Sequence, residues 1–570
     1  MTRPPVRRLV ALMGVFVLAL GFVIGRLGML QVRESRAYAA MGQEQRIRVL
    51  ELPASRGRIV DRVGTPLAMS LEALDVYVDP TQVVDAGAQA RLIAPILGLK
   101  PAEVRDTLAR TDTTFAYLDR HVDREVADRL AELRLPGVGM LPVHKRYYPA
   151  GSVASQVLGF VGVDGEGLTG LEMKYESLLA GDPGERTVEL SAQGQEIAGG
   201  VDVVAEPQAG SDLILTIDRQ IQFQAQRALQ EAIRDNGAKA GTIVVMDPVT
   251  GDVYAMASAP WFDPNRFGEF PSTTWSNRAV TDTWEPGSVN KVITAAAALE
   301  EQVVSPTERF SVPDTREIDG RTIHDSHPHA VQSMTLGDII AESSNIGSSL
   351  VADRVGSQAM ADAFARFGFG EPTGVGFPGE ASGLMPPDGE WSDLTRATVS
   401  YGAGVAVTPM QMASVYATVA NGGVWVQPRL VRGIVEADGT VIDADPSARR
   451  RVIRQETADI LTRMLAYVVQ DGTGENAQIP GYQVAGKTGT AKKIGENGRY
   501  TDRYVASFIG FLPASRPRIV VAAILDEPRT VYGGVAAAPL FQEVARYAIQ
   551  RLGIEPAPPV KLPPHVLQAP

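Results

Sequence analysis

From Leu9 to Gly25 the chain carries no charged side chain, and beyond Arg26 the run Leu27-Gly28-Met29-Leu30 extends the apolar stretch to about 20 residues. A segment of that length spans a membrane, with Arg26 reaching the interface along its own alkyl stem. Everything downstream is then tethered to a bilayer. Arg3, Arg7 and Arg8 precede the run, and no comparable cluster follows it immediately. That asymmetry predicts a cytoplasmic N-terminus and a remaining chain on the far side of the membrane. Ala37-Tyr38-Ala39 has the form of a signal cleavage site, but it lies beyond Arg33, Glu34 and Arg36, and the run exceeds a usual signal core. An uncleaved anchor is expected.

A chain of 570 residues has room for further domains after the anchor. The expected order is a cytoplasmic tail (1–8), the anchor (9–30), a helical stalk (31–45), a pedestal domain (46–210), a second domain (211–555) and a disordered proline-rich tail (556–570). The second domain opens on Leu215-Thr216-Ile217-Asp218, with Asp218 as N-cap of a long helix through Ile233. Thr242 to Met246 and Val253 to Ala257 flank Asp247-Pro248-Val249-Thr250-Gly251-Asp252, which predicts a hairpin. Val484 to Thr490, Val505 to Leu512 and Arg518 to Leu525 read as later strands, the last two antiparallel. The fold class is α+β.

A net charge of −12 argues against a nucleic-acid partner, because phosphate binding needs a basic face. Cysteine is absent, which removes disulfides, thiolate metal sites and a cysteine nucleophile. His324, His327 and His329 with Asp325 mix their spacings around Pro328, so a polar loop is expected there rather than a metal site. The glycines from Gly159 to Gly170 lack the lysine and hydroxyl of a phosphate loop. No Gly-x-Ser-x-Gly elbow is present. No cofactor is expected.

The chemistry concentrates around Trp284-Glu285-Pro286-Gly287-Ser288-Val289-Asn290-Lys291. Ser288 and Lys291 are three apart, so a helix sets them on one side, one turn apart. A neutral lysine amine at that spacing can serve as the base that activates the serine hydroxyl. The chain has nine lysines, and Lys291 alone has a serine three residues before it. Ser343-Ser344-Asn345 falls on a turn between helical patterns. Lys487-Thr488-Gly489 lies on a strand whose glycine admits close approach of a ligand to the backbone.

Ser-x-x-Lys, Ser-x-Asn and Lys-Thr-Gly, in that order, are the motif set of the penicillin-recognising serine enzymes. The anchor, Arg56-Gly57-x-Ile59 to Leu67-Ala68, Gly170-Leu171-Glu172 and the Trp-Glu-Pro-Gly context of Ser288 extend the likeness, so the chain resembles a class B penicillin-binding protein. The resemblance implies a penicillin-binding/β-lactamase-like catalytic domain, an antiparallel sheet flanked by helices, behind a mixed α/β dimerisation-type pedestal. Tyr401-Gly402-x-Gly404, Ala420-Asn421-Gly422-Gly423 and Asp526-Glu527-Pro528 to Pro539 resemble the cell-division type, with the elongation type as the near alternative. Val289-Asn290 and Trp284 depart from the commoner family residues without removing a catalytic atom.

That resemblance implies a D,D-transpeptidase with Ser288, Lys291, Ser343, Asn345 and Lys487 as catalytic residues and Thr488, Gly489 and Thr490 binding substrate. Ser288 would be acylated by a peptidoglycan stem with release of D-Ala, and by β-lactams. The N–H groups of Ser288 and Thr490 would stabilise the oxyanion. Burial and the charge of Lys487 would hold Lys291 neutral. A membrane glycosyltransferase of the shape, elongation, division and sporulation (SEDS) family and other division proteins are the implied partners, at the inner membrane. A hydrolase, or a non-catalytic penicillin-binding scaffold or sensor, would be the other classes.

Overall fold

The computed structural model describes residues 6–33, 47–189, 202–387, 391–495 and 497–562. Most of the expected stalk and the last part of the expected tail lie outside them. The chain divides into two compact units, residues 1–55 with 181–209, and residues 56–180 with 210–570.

In the first unit, helix α1 (Val6–Gly28) runs on into a π-helical turn, Met29–Arg33. It is the one helix among the described residues long and apolar enough to cross a membrane, with a mean hydropathy of 2.3 and none of its length buried. Leu12, Phe16, Leu18 and Phe22 all stand exposed. Water is a poor solvent for such a surface and a bilayer a good one, so α1 is a single-pass membrane anchor. The same unit holds an antiparallel three-stranded sheet of Ile47–Leu52, Gly184–Glu189 and Asp202–Ala205.

The second unit contains two large sheets. One is built from β1 (Ile59–Val60), β2 (Pro66–Val78), β3 (Ala116–Asp123), β4 (Val138–Tyr147) and β5 (Asp212–Leu215). The long β2 pairs antiparallel with both β3 and β4, and β5 runs parallel to β1. A hairpin from far along the chain, Val431–Val435 with Val441–Asp443, adds to the free edge of β5. Residues 56–180 and 210–570 thus form one compact unit, and this sheet is shared by segments from either side of residue 210.

Beside the sheet, Arg56, Arg146 and Glu172 form a buried ionic cluster. The Glu172 carboxylate, fully buried, accepts from Arg56 Nε at 2.7 Å, Arg146 Nε at 2.7 Å and Tyr148 Oη at 3.2 Å. Arg56 also donates to Glu176 at 2.6 Å and to the Glu172 carbonyl at 2.9 Å. Two guanidiniums and two carboxylates thus offset one another's charge, with Glu172 beyond the reach of water, Glu176 at the rim and Arg146 Nη2 left without a hydrogen-bond partner.

The second sheet comprises β6 (Ala240–Met246), β7 (Val253–Ala259), β8 (Ala485–Ile494), β9 (Tyr500–Leu512) and β10 (Ile519–Asp526), ordered β7-β6-β10-β9-β8 and antiparallel throughout. Alternate residues serve alternate faces, as the two-residue period requires. Ile243, Val245, Val521 and Ala523 pack under helices α2 (Arg219–Asn236) and α7 (Ala538–Leu552). Val244, Met246, Val520 and Ala522 belong to the core formed with α3 (Lys291–Glu300), α4 (Asn345–Val355), α5 (Pro409–Ala420) and α6 (Gln455–Asp471). Helices on both faces explain why these strands read as continuous apolar runs rather than alternating ones. Asp218 caps α2 through the N–H groups of Gln220 and Ile221.

The tail is ordered further than its composition suggests. Tyr482 Oη donates to the Ile554 carbonyl at 2.6 Å, the Val560 N–H donates to Gln483 Oε1 at 2.7 Å, and Val560 and Leu562 pack on the core. Side-chain amides that satisfy the backbone of a proline-rich segment remove the need for secondary structure there.

Candidate active site

Gly287 has φ +57, a left-handed conformation that glycine enters without penalty, and it turns the chain into the 3₁₀ turn Gly287–Asn290. Ser288 therefore sits on a 3₁₀ turn and not in the first turn of the α-helix. Lys291 is the first residue of α3, an alanine-rich helix buried almost throughout. Tyr416 Oη donates to the Val289 carbonyl at 2.9 Å, and Asn290 Nδ2 to the Val399 carbonyl at 2.9 Å. The unusual Asn290 is thus an anchor of the turn.

Lys291 Nζ, on a fully buried side chain, is 3.0 Å from Ser288 Oγ, 2.5 Å from the Ser343 carbonyl, 3.2 Å from Ser343 Oγ and 2.9 Å from Asn345 Oδ1. Burial pulls its pKa well below the ordinary lysine value and the nearby Lys487 pulls it further, against a smaller opposing pull from Asp325. The first two motifs therefore meet at one nitrogen.

Lys487 is also fully buried, on β8, with Nζ 3.1 Å from Thr488 Oγ1, 3.2 Å from the Thr488 carbonyl and 3.4 Å from Thr473 Oγ1. Burial lowers its pKa to about 7, with Glu342 opposing. Thr473 and Thr488 share a hydrogen bond at 2.9 Å. Thr473 escaped the sequence reading, although a hydroxyl between Gly472 and Gly474 just after a long helix is a usable signal. Thr490 Oγ1 accepts from the Gly533 N–H at 3.1 Å.

Gly489 also has a packing role. A Cβ there would lie 2.3 Å from Ser507 Oγ and 3.0 Å from Val289 Cγ1, and a Cβ on Gly533 would lie 2.3 Å from the Gly489 carbonyl. The chain's own atoms fill the space, so the glycine lets β8 pack against the Ser288 turn. Gly489→Ala is expected to destabilise the protein by about 1–3 kcal/mol through this overpacking, read as a lower midpoint in urea unfolding.

The Ser343 turn has a support that sequence reasoning left as a plain polar loop. Ser343 holds φ +61, unusual for a residue with a side chain. Asp325 accepts from the N–H of Asn345, the N–H of Ile346 at 3.0 Å and the Ser344 hydroxyl at 2.7 Å. Among the described residues no group of three or more His, Asp or Glu is arranged to hold a metal ion. From the same loop, the His327 ring lies 6.1 Å from that of Tyr532, next to Gly533. A separate cavity of about 400 Å³, lined by Arg278, Trp284, Glu285, Ala491, Lys493 and Asp526 among others, includes none of the eight motif residues.

Residues 241–546 match the penicillin binding protein transpeptidase domain, and residues 51–215 match the penicillin-binding protein dimerisation domain. The chain is 35% identical over 559 residues to the peptidoglycan D,D-transpeptidase FtsI of Escherichia coli strain K12, covering 96% of this chain and 92% of that one. It is 37% identical over 550 residues to penicillin-binding protein PbpB of Mycobacterium tuberculosis, covering 91% and 81%. Among solved structures, penicillin binding protein 3 of Mycobacterium tuberculosis, complexed with aztreonam, superposes with a TM-score of 0.71 at 33% identity, over 90% of this chain and 99% of that one. With both domains matched and the first two motifs meeting at Lys291, the chain belongs to the class B penicillin-binding proteins, the FtsI-type peptidoglycan D,D-transpeptidases.

Proposed function

We propose that this chain cross-links peptidoglycan stem peptides at the division septum through an acyl-enzyme on Ser288. The observation that carries the reading is the set of contacts at Lys291 Nζ. A neutral amine has two N–H groups and one lone pair. Donating to the Ser343 carbonyl and to Asn345 Oδ1 directs the lone pair at the Ser288 hydroxyl, 3.0 Å away. Lys291 then takes the Ser288 proton as Oγ attacks the carbonyl carbon of the D-Ala-D-Ala bond. The N–H groups of Ser288 and Thr490 stabilise the oxyanion. As the C–N bond breaks, Ser343 donates its hydroxyl proton to the leaving amine and recovers one from Lys291, so that D-Ala departs and Lys291 is neutral again. The amine of a second stem attacks the ester and gives its proton through Ser343 to Lys291, which returns it to Ser288 Oγ as the ester C–O bond breaks and the new peptide bond forms.

Asn345 holds the peptide of the acyl donor, and Lys487 with Thr488 and Thr490 holds its terminal carboxylate. A carboxylate at Lys487 favours the charged lysine, which in turn disfavours charge on Lys291. Gly489 contributes by seating the strand. The division role, rather than elongation, rests on the relatives named FtsI. The apolar anchor and the arginines before it support a reading with the protein in the inner membrane, its catalytic portion in the periplasm and a SEDS-family glycosyltransferase as the partner that supplies glycan strands.

The full-length protein in detergent, incubated with a fluorescent penicillin, is expected to carry a persistent label that Ser288→Ala lacks. Undiminished label on that variant would rule Ser288 out as the nucleophile. Rapid loss of label with turnover of the drug would replace the transpeptidase with a hydrolase.

A further inference from the structure

The Asp325 carboxylate is 8% exposed, and each of its oxygens is used twice. Oδ1 takes the N–H groups of Asn345 and Ile346, while Oδ2 takes the Ser344 hydroxyl and faces His329 Nε2 at 3.1 Å. The three donors that grip it are successive residues of the turn that presents the Ser343 carbonyl, Ser343 Oγ and Asn345 Oδ1 to Lys291. That turn contains a serine at positive φ and needs outside support to hold its shape.

The His329 ring is bounded by acceptors on both sides. Nδ1 lies 2.7 Å from the Ala330 carbonyl and Nε2 lies 3.1 Å from Asp325 Oδ2. A neutral imidazole has one N–H and can satisfy one of these partners; an imidazolium satisfies both. We infer that His329 and Asp325 form a proton-dependent brace that positions the Ser343–Asn345 turn against Lys291. This rests on the proposed reading of Ser288 and Lys291 as nucleophile and base. Both brace residues are positioning residues, since neither touches the reacting atoms.

The charged groups around the ring are consistent with this. The Ala330 carbonyl raises the His329 pKa above the ordinary 6.5, followed by the hydrogen bond and charge of Asp325 and the charge of Asp314, with slight burial opposing. His324 contacts the backbone carbonyl of Asp325 through Nδ1. Lys291 faces Asp325 from the far side of the turn. The sign follows from a raised folded value: below 6.5 the ring is charged and the brace complete, and it is lost as pH rises through the folded value. Lys291 acts oppositely, because it must shed its proton to work. The rate of acylation therefore has an acid limb set by Lys291 and an alkaline limb to which His329 contributes beside Lys487, whose pKa burial lowers to about 7 and whose charge meets the carboxylate.

The test measures the second-order rate of labelling by a fluorescent penicillin on the full-length protein from about pH 5 to about pH 10, spanning both limbs. The wild type is expected to lose about fivefold on an alkaline limb whose midpoint lies above 6.5. His329→Gln and His329→Arg, neither of which titrates there, should each shrink that limb to the part Lys487 sets and keep the acid one, with His329→Arg, charged throughout, the faster of the two. Asp325→Asn should slow labelling about tenfold or more at every pH while the circular dichroism of the protein is unchanged. An alkaline limb of undiminished size in His329→Gln would overturn the brace, whether or not Asp325→Asn folds. In that event Ser288-dependent labelling still stands; absence of labelling in the wild type at every pH would instead overturn the reading of the site itself.

Discussion

Lys291→Met is expected to slow acylation of Ser288 by a penicillin by about 10²–10⁴-fold, the usual worth of a positioned general base. Methionine fills a similar volume in a fully buried position, so the loss reports the missing lone pair and not a collapsed helix. The two acceptors left behind, the Ser343 carbonyl and Asn345 Oδ1, lose their donor, and part of the effect enters through that turn. The pH profile separates the contributions. A lysine with a lowered pKa gives the wild type a rate that rises with pH through that value, and Lys291→Met should lack this acid limb. A variant with a normal acid limb would assign the base to another group.

Glu172→Ala is expected to cost about 3–5 kcal/mol of stability, far from the reacting serine. The side chain is fully buried between Arg56 and Arg146, whose own side chains are 7% and 5% exposed. Truncation leaves two guanidiniums inside the protein with one carboxylate, Glu176, still in reach of Arg56. The measurement is the shift of the thermal melt, beside Ser288-dependent labelling at a temperature where both proteins are folded. Labelling per folded molecule should be unchanged. A melt within one degree or so of the wild type would show that the arginines find water or other partners.

These two sites also mark what a single sequence reveals. Ser288 with Lys291, and Lys487 with Thr488, were legible because the chemistry needs those residue types at short, fixed spacings. The five apolar strands of the catalytic sheet were legible in part, since burial on both faces writes them as unbroken apolar runs. Asp325 was visible only as a member of a histidine-rich loop, because its role lies in hydrogen bonds to residues some 20 positions later. Arg56 and Glu172 stood in the segments that carried the family likeness, yet nothing in either segment says that they touch. Gly489 was read as admitting a ligand close to the backbone, and its packing against Ser507, Val289 and Pro286 of the chain itself was not legible. In each missed case the deciding partner is distant in sequence.

The sheet that joins β5 to both β1 and the Val431–Asp443 hairpin has a practical consequence for anyone who would cut or graft this protein. Excising residues 211–555 would strip β5 of its parallel neighbour and bare an edge of backbone donors and acceptors, a surface that invites strand-to-strand aggregation. Exchanging pedestals between relatives would likewise demand that the hairpin travel with the graft, although more than 200 residues of catalytic chain separate it from β5. Modularity in this protein follows the hydrogen-bond ladder, and the seam for surgery is not where the two domain matches meet.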